Sequence, residues 1–306
     1  IKGQTYGSVY ITEANECCEA FVKECFVRTL SSHQRKVFMD LNPKGPQHWF
    51  YVDLLNFYEK GAKDGAITGY NYEHFTVLDN LSMSDHQLCE LMATYDKKSF
   101  WYAVDILGLR TAPEGIIYDM WTVDNTFAQT DVSQGWKSVC EHYVGIDYGT
   151  SNATAFLDTW DDGTTYWIDR EYYYDGRKER RQKTDSEYAN DLDEFLGGDK
   201  GAIIILDPSA ASFATELRNR GYLVRSADND VRDGLRVVAT LMKKRMIRVR
   251  ADTCPNLIRE ISGYVWDEKA KARGEEQPVK VDDHACDALR YVVKTTASRW
   301  RISGTS

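Results

Sequence analysis

The order of strands and helices in the second half of the sequence constrains the fold most. Three apolar, β-rich runs follow one another across short turns, and strands and helices then alternate up to residue 294. The predicted strands are 143–148, 153–157, 165–169, 202–206, 221–225 and 247–249, and the predicted helices are 186–195, one beginning at Pro208, 231–242 and 283–294. This alternation predicts a mixed sheet with helices on its faces.

The first part of the sequence has its own pattern. We predict strands at 8–11 and 36–41, a helix at 15–30, and a helix near 85–92 with Ser84 as its N-cap. Turn residues at 107–115 indicate a connector, so we predict two domains, 1–115 and 116–306. In the second domain, three meandering strands followed by alternation is the order of the ribonuclease H fold.

Composition excludes several classes of protein. The chain has 306 residues, 42% apolar and 12% aromatic, which is enough for packed cores. No apolar stretch approaches the roughly 20 residues that span a bilayer, and no signal-peptide pattern is present. The seven cysteines include no CxxC pair, which favours a reducing cytoplasm over a disulfide framework or zinc site. The start at Ile1, without Met, suggests a fragment or a processed chain.

Three aspartates carry the functional prediction. Asp147 and Asp207 each follow an apolar strand, and Asp287 lies in the first turns of the last predicted helix. Carboxylates that converge repel one another unless a cation lies among them. Hard divalent metals prefer oxygen ligands, and two such ions are a recurrent means of cleaving phosphodiesters. The pattern therefore predicts a metal-dependent nuclease.

Each of these acids has a structural alternative. Asp147 could form an Asx-turn, and Asp207 could cap a helix that has Pro208 at its first position. Asp282 and Asp283 could cap the last predicted helix and favour its N-terminus, whereas Asp287 lies too far into the helix for that role.

Other polar residues could join the site. Asp283 and His284 are candidates for an auxiliary ligand or a proton carrier. Asp169 and Glu171 share one face of the third strand, where they either join the site or are ordinary exposed sheet acids.

Basic residues are clustered although the net charge is −9. One cluster comprises Arg177, Lys178, Arg180, Arg181 and Lys183, and the other comprises Lys243, Lys244 and Arg245. Both are predicted to contact DNA phosphates, the alternative being a solvated face or loop.

Three motifs together resemble the nuclease motifs of the large terminase subunit of tailed bacteriophages. They are VGIDYGT at 144–150, ILDPS at 205–209 and DDHACDALRY at 282–291. The resemblance implies that Asp147, Asp207 and Asp287 are the metal-binding acids of a ribonuclease H-like nuclease using two Mg²⁺ or Mn²⁺ ions. It places Asp283 and His284 in the motif around the last acid.

The resemblance extends to the first domain. Residues 8–16 are similar to a Walker B segment in which Glu13 matches the catalytic glutamate, and Asn42-Pro43 with His48-Trp49 is similar to the next ATPase motif. Thr12 replaces the usual magnesium-binding Asp, and no GxxxxGK[ST] segment occurs. Residues 1–115 are thus expected to be the C-terminal part of a P-loop-type ATPase domain without its Walker A segment, binding ATP only with that upstream segment.

The resemblance implies an endonuclease that cuts concatemeric double-stranded DNA during packaging in the cytoplasm of the bacterial host. Its implied partners are the small terminase subunit and the portal protein, with a ring on the portal as an open option and no membrane. Two alternatives remain. GIDYGTSN at 145–152 also resembles the first phosphate motif of actin-like and sugar-kinase ATPases, and the chain could be a non-catalytic DNA-binding prophage remnant.

Overall fold

The computed structural model describes residues 4–95, 97–112, 114–149 and 152–297 and divides into two compact units. The first comprises Ile1–Pro113 and Asp267–Gln277, and the second comprises Glu114–Trp266 and Pro278–Ser306. Pro113 of the predicted connector, Thr150 of the VGIDYGT motif and Ser151 beside it lie outside the described residues. Within the described ranges, no helix combines the length and apolarity needed to cross a bilayer.

The described residues form nine strands and nine α-helices. The strands are β1 (Ser8–Ile11), β2 (Lys36–Met39), β3 (Thr126–Phe127), β4 (Glu141–Asp147), β5 (Ala153–Asp161), β6 (Tyr166–Asp175), β7 (Ile203–Leu206), β8 (Leu223–Ser226) and β9 (Ile247–Arg250). The helices are α1 (Glu19–Thr29), α2 (Asn56–Lys63), α3 (Asp85–Ala93), α4 (Asp185–Phe195), α5 (Ala211–Asn219), α6 (Val231–Lys243), α7 (Pro255–Gly263), α8 (Glu268–Ala272) and α9 (His284–Thr296).

Shorter helical segments join these elements. Wide helical turns occupy Phe50–Leu55 and Tyr102–Ile106, and tight turns occupy Val77–Asp79, Val123–Asn125, Gln129–Asp131 and Trp136–Val139.

The first unit contains a two-stranded parallel sheet of β1 and β2. Its core includes the apolar side of α1 and the segment leading into α2, with Val22, Cys25, Phe50 and Leu55 buried. The predicted capping of α3 is confirmed, because the Ser84 hydroxyl accepts from the Gln87 N–H at 3.3 Å and the Gln87 side chain accepts from the Ser84 N–H at 2.9 Å.

The second unit is built on a seven-stranded mixed sheet in the order β3-β9-β6-β5-β4-β7-β8. Strands β4, β5 and β6 are an antiparallel meander, while β7 is parallel to β4 and β8 is parallel to β7. This is the ribonuclease H-like arrangement predicted from the element order. The described part of the unit has this one sheet, whereas the actin-like alternative requires a duplicated fold.

Alternation along β4 separates the two helical layers. Val144 and Ile146 point to the core that contains α4 and α5, represented by Tyr188 and Phe213. Gly145 points the other way and lies against α9. A Cβ at residue 145 would come within 2.4 Å of the Ala288 carbonyl oxygen, so glycine is needed for α9 to lie this close to the sheet.

The beginning of α5 differs from the prediction. The helix begins at Ala211 rather than at Pro208, and Asp207 is not its N-cap. The Asp207 carboxylate instead accepts from the Ser209 N–H at 2.7 Å, and the Ala210 N–H donates to the Asp207 carbonyl at 3.1 Å. Pro208 therefore occupies the second position of a β-turn, which proline's fixed φ also suits.

Candidate metal centre

The first two predicted acids lie side by side at the C-terminal ends of two neighbouring strands. Ile146 of β4 and Leu206 of β7 are register partners in a parallel pair, and Asp147 and Asp207 follow directly after them. Asp147 lies on the same face of β4 as Gly145, because side chains alternate along a strand. That face carries α9, so the third predicted acid belongs to the adjoining layer.

His284 joins the start of α9 to the end of β4. Its Nδ1 lies 2.8 Å from the Asp147 Oδ2. Burial raises the pKa of Asp147, as do the charges of Asp287 and Asp283, while His284 opposes the shift. Burial lowers the pKa of His284, but its hydrogen bond to Asp147 and the charge of Asp147 outweigh this, so the net shift is upward.

Asp287 is held by two cationic side chains. Arg290 donates from Nε at 3.1 Å and from Nη2 at 3.0 Å to its Oδ1. Lys280 approaches its Oδ2 at 3.0 Å and also lies 3.3 Å from the Oδ2 of Asp283. Asp283 occupies the N-cap position of α9 but makes no side-chain cap bond, so the capping alternative for this residue is wrong.

Asp207 is held by neutral donors. Its Oδ2 accepts from the Tyr291 hydroxyl at 3.0 Å and from the Asn229 side-chain amide at 3.4 Å. Burial favours a raised pKa for Asp207, but the hydrogen bonds from Ser209, Tyr291 and Asn229 outweigh it and lower that pKa.

Tyr291 of α9 contacts one of the acids directly, because its hydroxyl donates to Asp207. Burial raises the pKa of its hydroxyl, and the charges of Asp147, Asp287 and Asp207 all add to that shift. The Tyr291 hydrogen bond thus joins α9 to the end of β7. The structure brings the three predicted acids, together with Asp283 and His284, to one end of β4, β7 and α9.

Glu260 on α7 is a neighbour that the sequence did not indicate. Its Oε2 accepts from the backbone N–H groups of Ala285 at 2.7 Å and Cys286 at 3.1 Å, so a side chain from another helix caps α9. Because α7 itself was not recognised in the sequence, no signal pointed to this role.

The chemistry of these residues fits a hard divalent cation. Asp147, Asp207 and Asp287 offer oxygen donors, and a bound cation would favour the charged form of Asp147, whose pKa is raised by burial and by the charges of Asp287 and Asp283. In the described part of the chain, however, no three His, Cys, Asp or Glu side chains are close enough together to hold a metal. Here Lys280 and Arg290 supply positive charge to Asp287, and His284 contacts Asp147.

Asp169 and Glu171 have partners of their own and are not brought into this group. Asp169 pairs with Lys137 at 2.5 Å and with Arg250 at 3.1 Å. Glu171 accepts from the Asn256 and Leu257 N–H groups at 2.7 and 2.8 Å, which caps α7.

The two basic clusters lie at opposite ends of the strands. The first, between β6 and α4, lies at the same end as Asp147, since Asp147 pairs with Ala155 and Ala153 pairs with Asp175. Within it, Arg177 donates to the Asn152 side chain at 2.7 Å. The second cluster lies around the start of β9, which pairs with the start of β6 at the other end of the strands. The structure therefore does not bring Lys243, Lys244 and Arg245 together with the acids.

Glu13 lies at the end of β1 in the first unit. Its φ is +48°, its N–H donates to the Asp40 Oδ1 at 2.5 Å, and its carboxylate accepts from the Asn42 side chain at 3.3 Å. Asp40, which follows β2, also accepts from Tyr10 and from Thr12 at 3.4 Å. The sequence had not singled out Asp40.

Comparison with solved structures finds strong similarity along almost the whole chain. A crystal structure of the large terminase from a thermophilic bacteriophage is 40% identical, covers 97% of this chain and 70% of that one, and has a TM-score of 0.79. Structures of that same phage protein in complex with ATP-gamma-S and with ADP are also 40% identical over 97% of this chain, cover 72% and 71% of the other chain, and have TM-scores of 0.78. No protein-family model matches the chain. The curated proteins yield no match either.

Proposed function

The chain belongs to the phage large terminase family of DNA-packaging proteins, and from that membership we propose that its second unit is a metal-dependent endonuclease. Its substrate is concatemeric double-stranded DNA, which it cuts by hydrolysing the phosphodiester backbone. The placement of Asp147, Asp207 and Asp287 at one end of β4, β7 and α9, where His284 bonds to Asp147 and Tyr291 bonds to Asp207, is the observation that carries the proposal.

In this proposal, Asp147, Asp207 and Asp287 would hold two Mg²⁺ or Mn²⁺ ions. Bound at such a site, divalent ions lower the pKa of an attacking water and stabilise the leaving oxygen. The chain's own residues orient the ligands: Arg290 fixes one oxygen of Asp287, and the Tyr291 hydroxyl fixes one oxygen of Asp207. Outer hydrogen bonds of this kind set ligand geometry.

His284 and Asp283 have supporting roles in this proposal. The His284 Nδ1 shares a hydrogen bond with Asp147, so the ring is oriented and its other nitrogen is left to carry a proton. Asp283 adds a carboxylate next to Asp287, since Lys280 contacts both at 3.3 and 3.0 Å.

The loop between β6 and α4 would guide the DNA backbone. This loop lies at the same end of the strands as Asp147, and its basic residues are Arg177, Lys178, Arg180, Arg181 and Lys183. Phosphate contacts of this kind position a duplex without reading its sequence, and they give an affinity that falls steeply with salt. Lys243, Lys244 and Arg245 are not included among these phosphate-contacting residues, because they lie at the opposite end of the strands.

For the first unit we propose the C-terminal part of the ATPase domain, with Glu13 as the residue that acts on nucleotide. The placement of Glu13 between Asp40 and Asn42 at the end of β1 supports this role. The similar terminase from the thermophilic phage has been solved with ATP-gamma-S and with ADP. The chain alone should show no ATP turnover, and turnover that disappears in Glu13→Ala would contradict this.

Small terminase subunit and portal protein are the partners that family membership suggests, with assembly as a ring on the portal. These remain proposals that follow from the family alone.

A plasmid assay tests the nuclease directly. Supercoiled plasmid should be nicked with Mn²⁺ or Mg²⁺, and EDTA should stop the reaction. Asp147→Asn, Asp207→Asn and Asp287→Asn should each lower the rate at least about 100-fold, beyond what loss of an outer hydrogen bond gives. The matched control is Asp199→Asn, which should cut like wild type. Asp199 lies in the turn before β7, at the end of the strands away from the site. Unchanged cutting in all three variants would refute the assignment, and no cutting by wild type would favour the non-catalytic alternative.

A further inference from the structure

A lysine from outside α9 reaches over the first turn of that helix. Lys280 belongs to the segment that enters α9, and this segment is tied to the unit by the Val279 N–H, which donates to the Val265 carbonyl at 2.9 Å. From there its ammonium lies 3.0 Å from the Asp287 Oδ2 and 3.3 Å from the Asp283 Oδ2. One positive charge thereby serves two carboxylates that would otherwise repel each other.

The two cations on Asp287 differ in how firmly they are held. Arg290, with a side chain only 2% exposed, binds Oδ1 and also donates to the Asn229 carbonyl at 3.2 Å. Its stem fills the space that a Cβ on Gly234 would occupy, 2.7 Å from the Arg290 Cγ. Arg290 is therefore a fixed part of the fold, and Oδ2 is the oxygen of Asp287 that remains for an incoming ligand.

Lys280 is held much less firmly. Its side chain is 56% exposed, and its flexible four-carbon stem ends in a compact ammonium that moves without disturbing the backbone. The Asp287 and Asp283 side chains are only 10% and 6% exposed, so the ammonium leaves at little cost only when another cation takes over its charge.

We propose that Lys280 is a tethered counter-cation that occupies the Asp287 Oδ2 in the metal-free protein and is displaced when a divalent ion binds. The inference rests on the proposed metal centre. It assigns Lys280 the function of keeping Asp283 and Asp287 together before the metal arrives, and it makes metal binding a competition with this ammonium.

Chemical labelling of wild-type protein tests the displacement. The protein is treated briefly with an amine-acetylating reagent, with and without MnCl₂, and acetylation of each lysine is quantified by peptide mass spectrometry. Mn²⁺ should raise the Lys280 labelling rate by about threefold or more, the change expected when a surface ion pair is lost. Lys200 is the control, and its labelling rate should not change. It pairs with Asp193 at the end of the strands away from the site. A Lys280 rate that stays constant or falls while Mn²⁺ binds would overturn the inference.

Calorimetric titration with MnCl₂ separates this inference from the proposed function. Lys280→Met should bind Mn²⁺ about threefold or more tightly than wild type, and Lys200→Met should bind like wild type. If wild type binds Mn²⁺, Asp287→Asn does not, and Lys280→Met has an unchanged Kd, the metal centre stands and the role of Lys280 is wrong. If wild type itself binds no Mn²⁺, both fail.

Discussion

The Tyr291 hydroxyl connects α9 to one of the three acids. It donates to the Asp207 Oδ2 at 3.0 Å while three carboxylate charges act on it. Its ring belongs to α9, so the hydrogen bond fixes a ligand at the end of β7 from the neighbouring layer. A small change at this atom should therefore affect the metal more than the fold.

Tyr291→Phe should weaken Mn²⁺ binding by about tenfold, because loss of an outer hydrogen bond leaves the Asp207 carboxylate less well oriented. It should lower the free energy of unfolding by about 1 kcal/mol. Tyr222→Phe is the matched control, since the Tyr222 hydroxyl donates to the Asp193 Oδ1 at 2.7 Å at the end of the strands away from the site. The control should lose similar stability and bind Mn²⁺ normally. Equal Mn²⁺ affinities in wild type and Tyr291→Phe would contradict the orienting role.

Asp158 is a buried acid with a structural function. It has no exposed surface and accepts from the His142 Nε2 at 2.6 Å and the Arg170 Nε at 2.7 Å. Burial favours a raised pKa for Asp158, but these two partners outweigh it and the pKa is lowered. A lowered folded-state pKa stabilises the protein above the unfolded value of about 3.9 and ceases to do so as pH falls through the folded value.

Asp158→Asn should therefore lower the free energy of unfolding by about 2 kcal/mol at pH 7. The difference from wild type should begin to shrink below the unfolded value of about 3.9 and should disappear only below the lowered folded-state pKa, where the folded carboxyl also becomes neutral. Urea unfolding at several pH values measures both quantities. A difference that stays constant down to about pH 3 would show that charge is not the cause.

At the scale of elements, the site depends on the contact between α9 and β4. Gly145 leaves room for the Ala288 carbonyl and the Val292 side chain, which would lie 2.4 and 2.6 Å from a Cβ. Glu260 then caps the end of α9 that carries His284 and Asp287. Close packing and a borrowed cap together set where the acids of this helix lie.

Gly145→Ala should destabilise the protein by about 2 kcal/mol or more, because backbone rather than a flexible side chain occupies the space of the new methyl group. It should also weaken Mn²⁺ binding by moving α9 away from Asp147. Gly263→Ala at the end of α7, where a Cβ meets nothing within 4 Å, is the control and should be close to neutral. The midpoint of urea unfolding measures the effect. Equal midpoints for the two variants would contradict the packing argument.

The elements show which parts of the fold are predictable. The meander and the following alternation were predicted because β4, β5 and β6 are long apolar or aromatic runs separated by turn residues. The start of α5 was wrong because Asp-Pro-Ser suits a β-turn as well as a helix N-terminus. Helix α7 was missed because its apolar residues Leu257, Ile258 and Ile261 cover little more than one turn, which is too short to establish a period, although Leu257 and Ile261 are fully buried.

For the whole molecule, the sequence indicated the acids but not the residues that hold them. Asp147, Asp207 and Asp287 were recognisable because strand ends and a spelled-out motif mark their positions. Lys280, Arg290, Asn229 and Glu260 were not, because their roles depend on contacts between layers that no local pattern encodes. The assignment of Asp267–Gln277 to the first unit was unpredictable for the same reason.

Anomalous diffraction from crystals soaked in MnCl₂ tests the central claim most directly. We predict manganese peaks bound by carboxylate oxygens of Asp147, Asp207 and Asp287, with the Lys280 ammonium moved away from Asp287. Manganese bound elsewhere, with these three aspartates still engaged by His284, Tyr291 and Lys280, would contradict it.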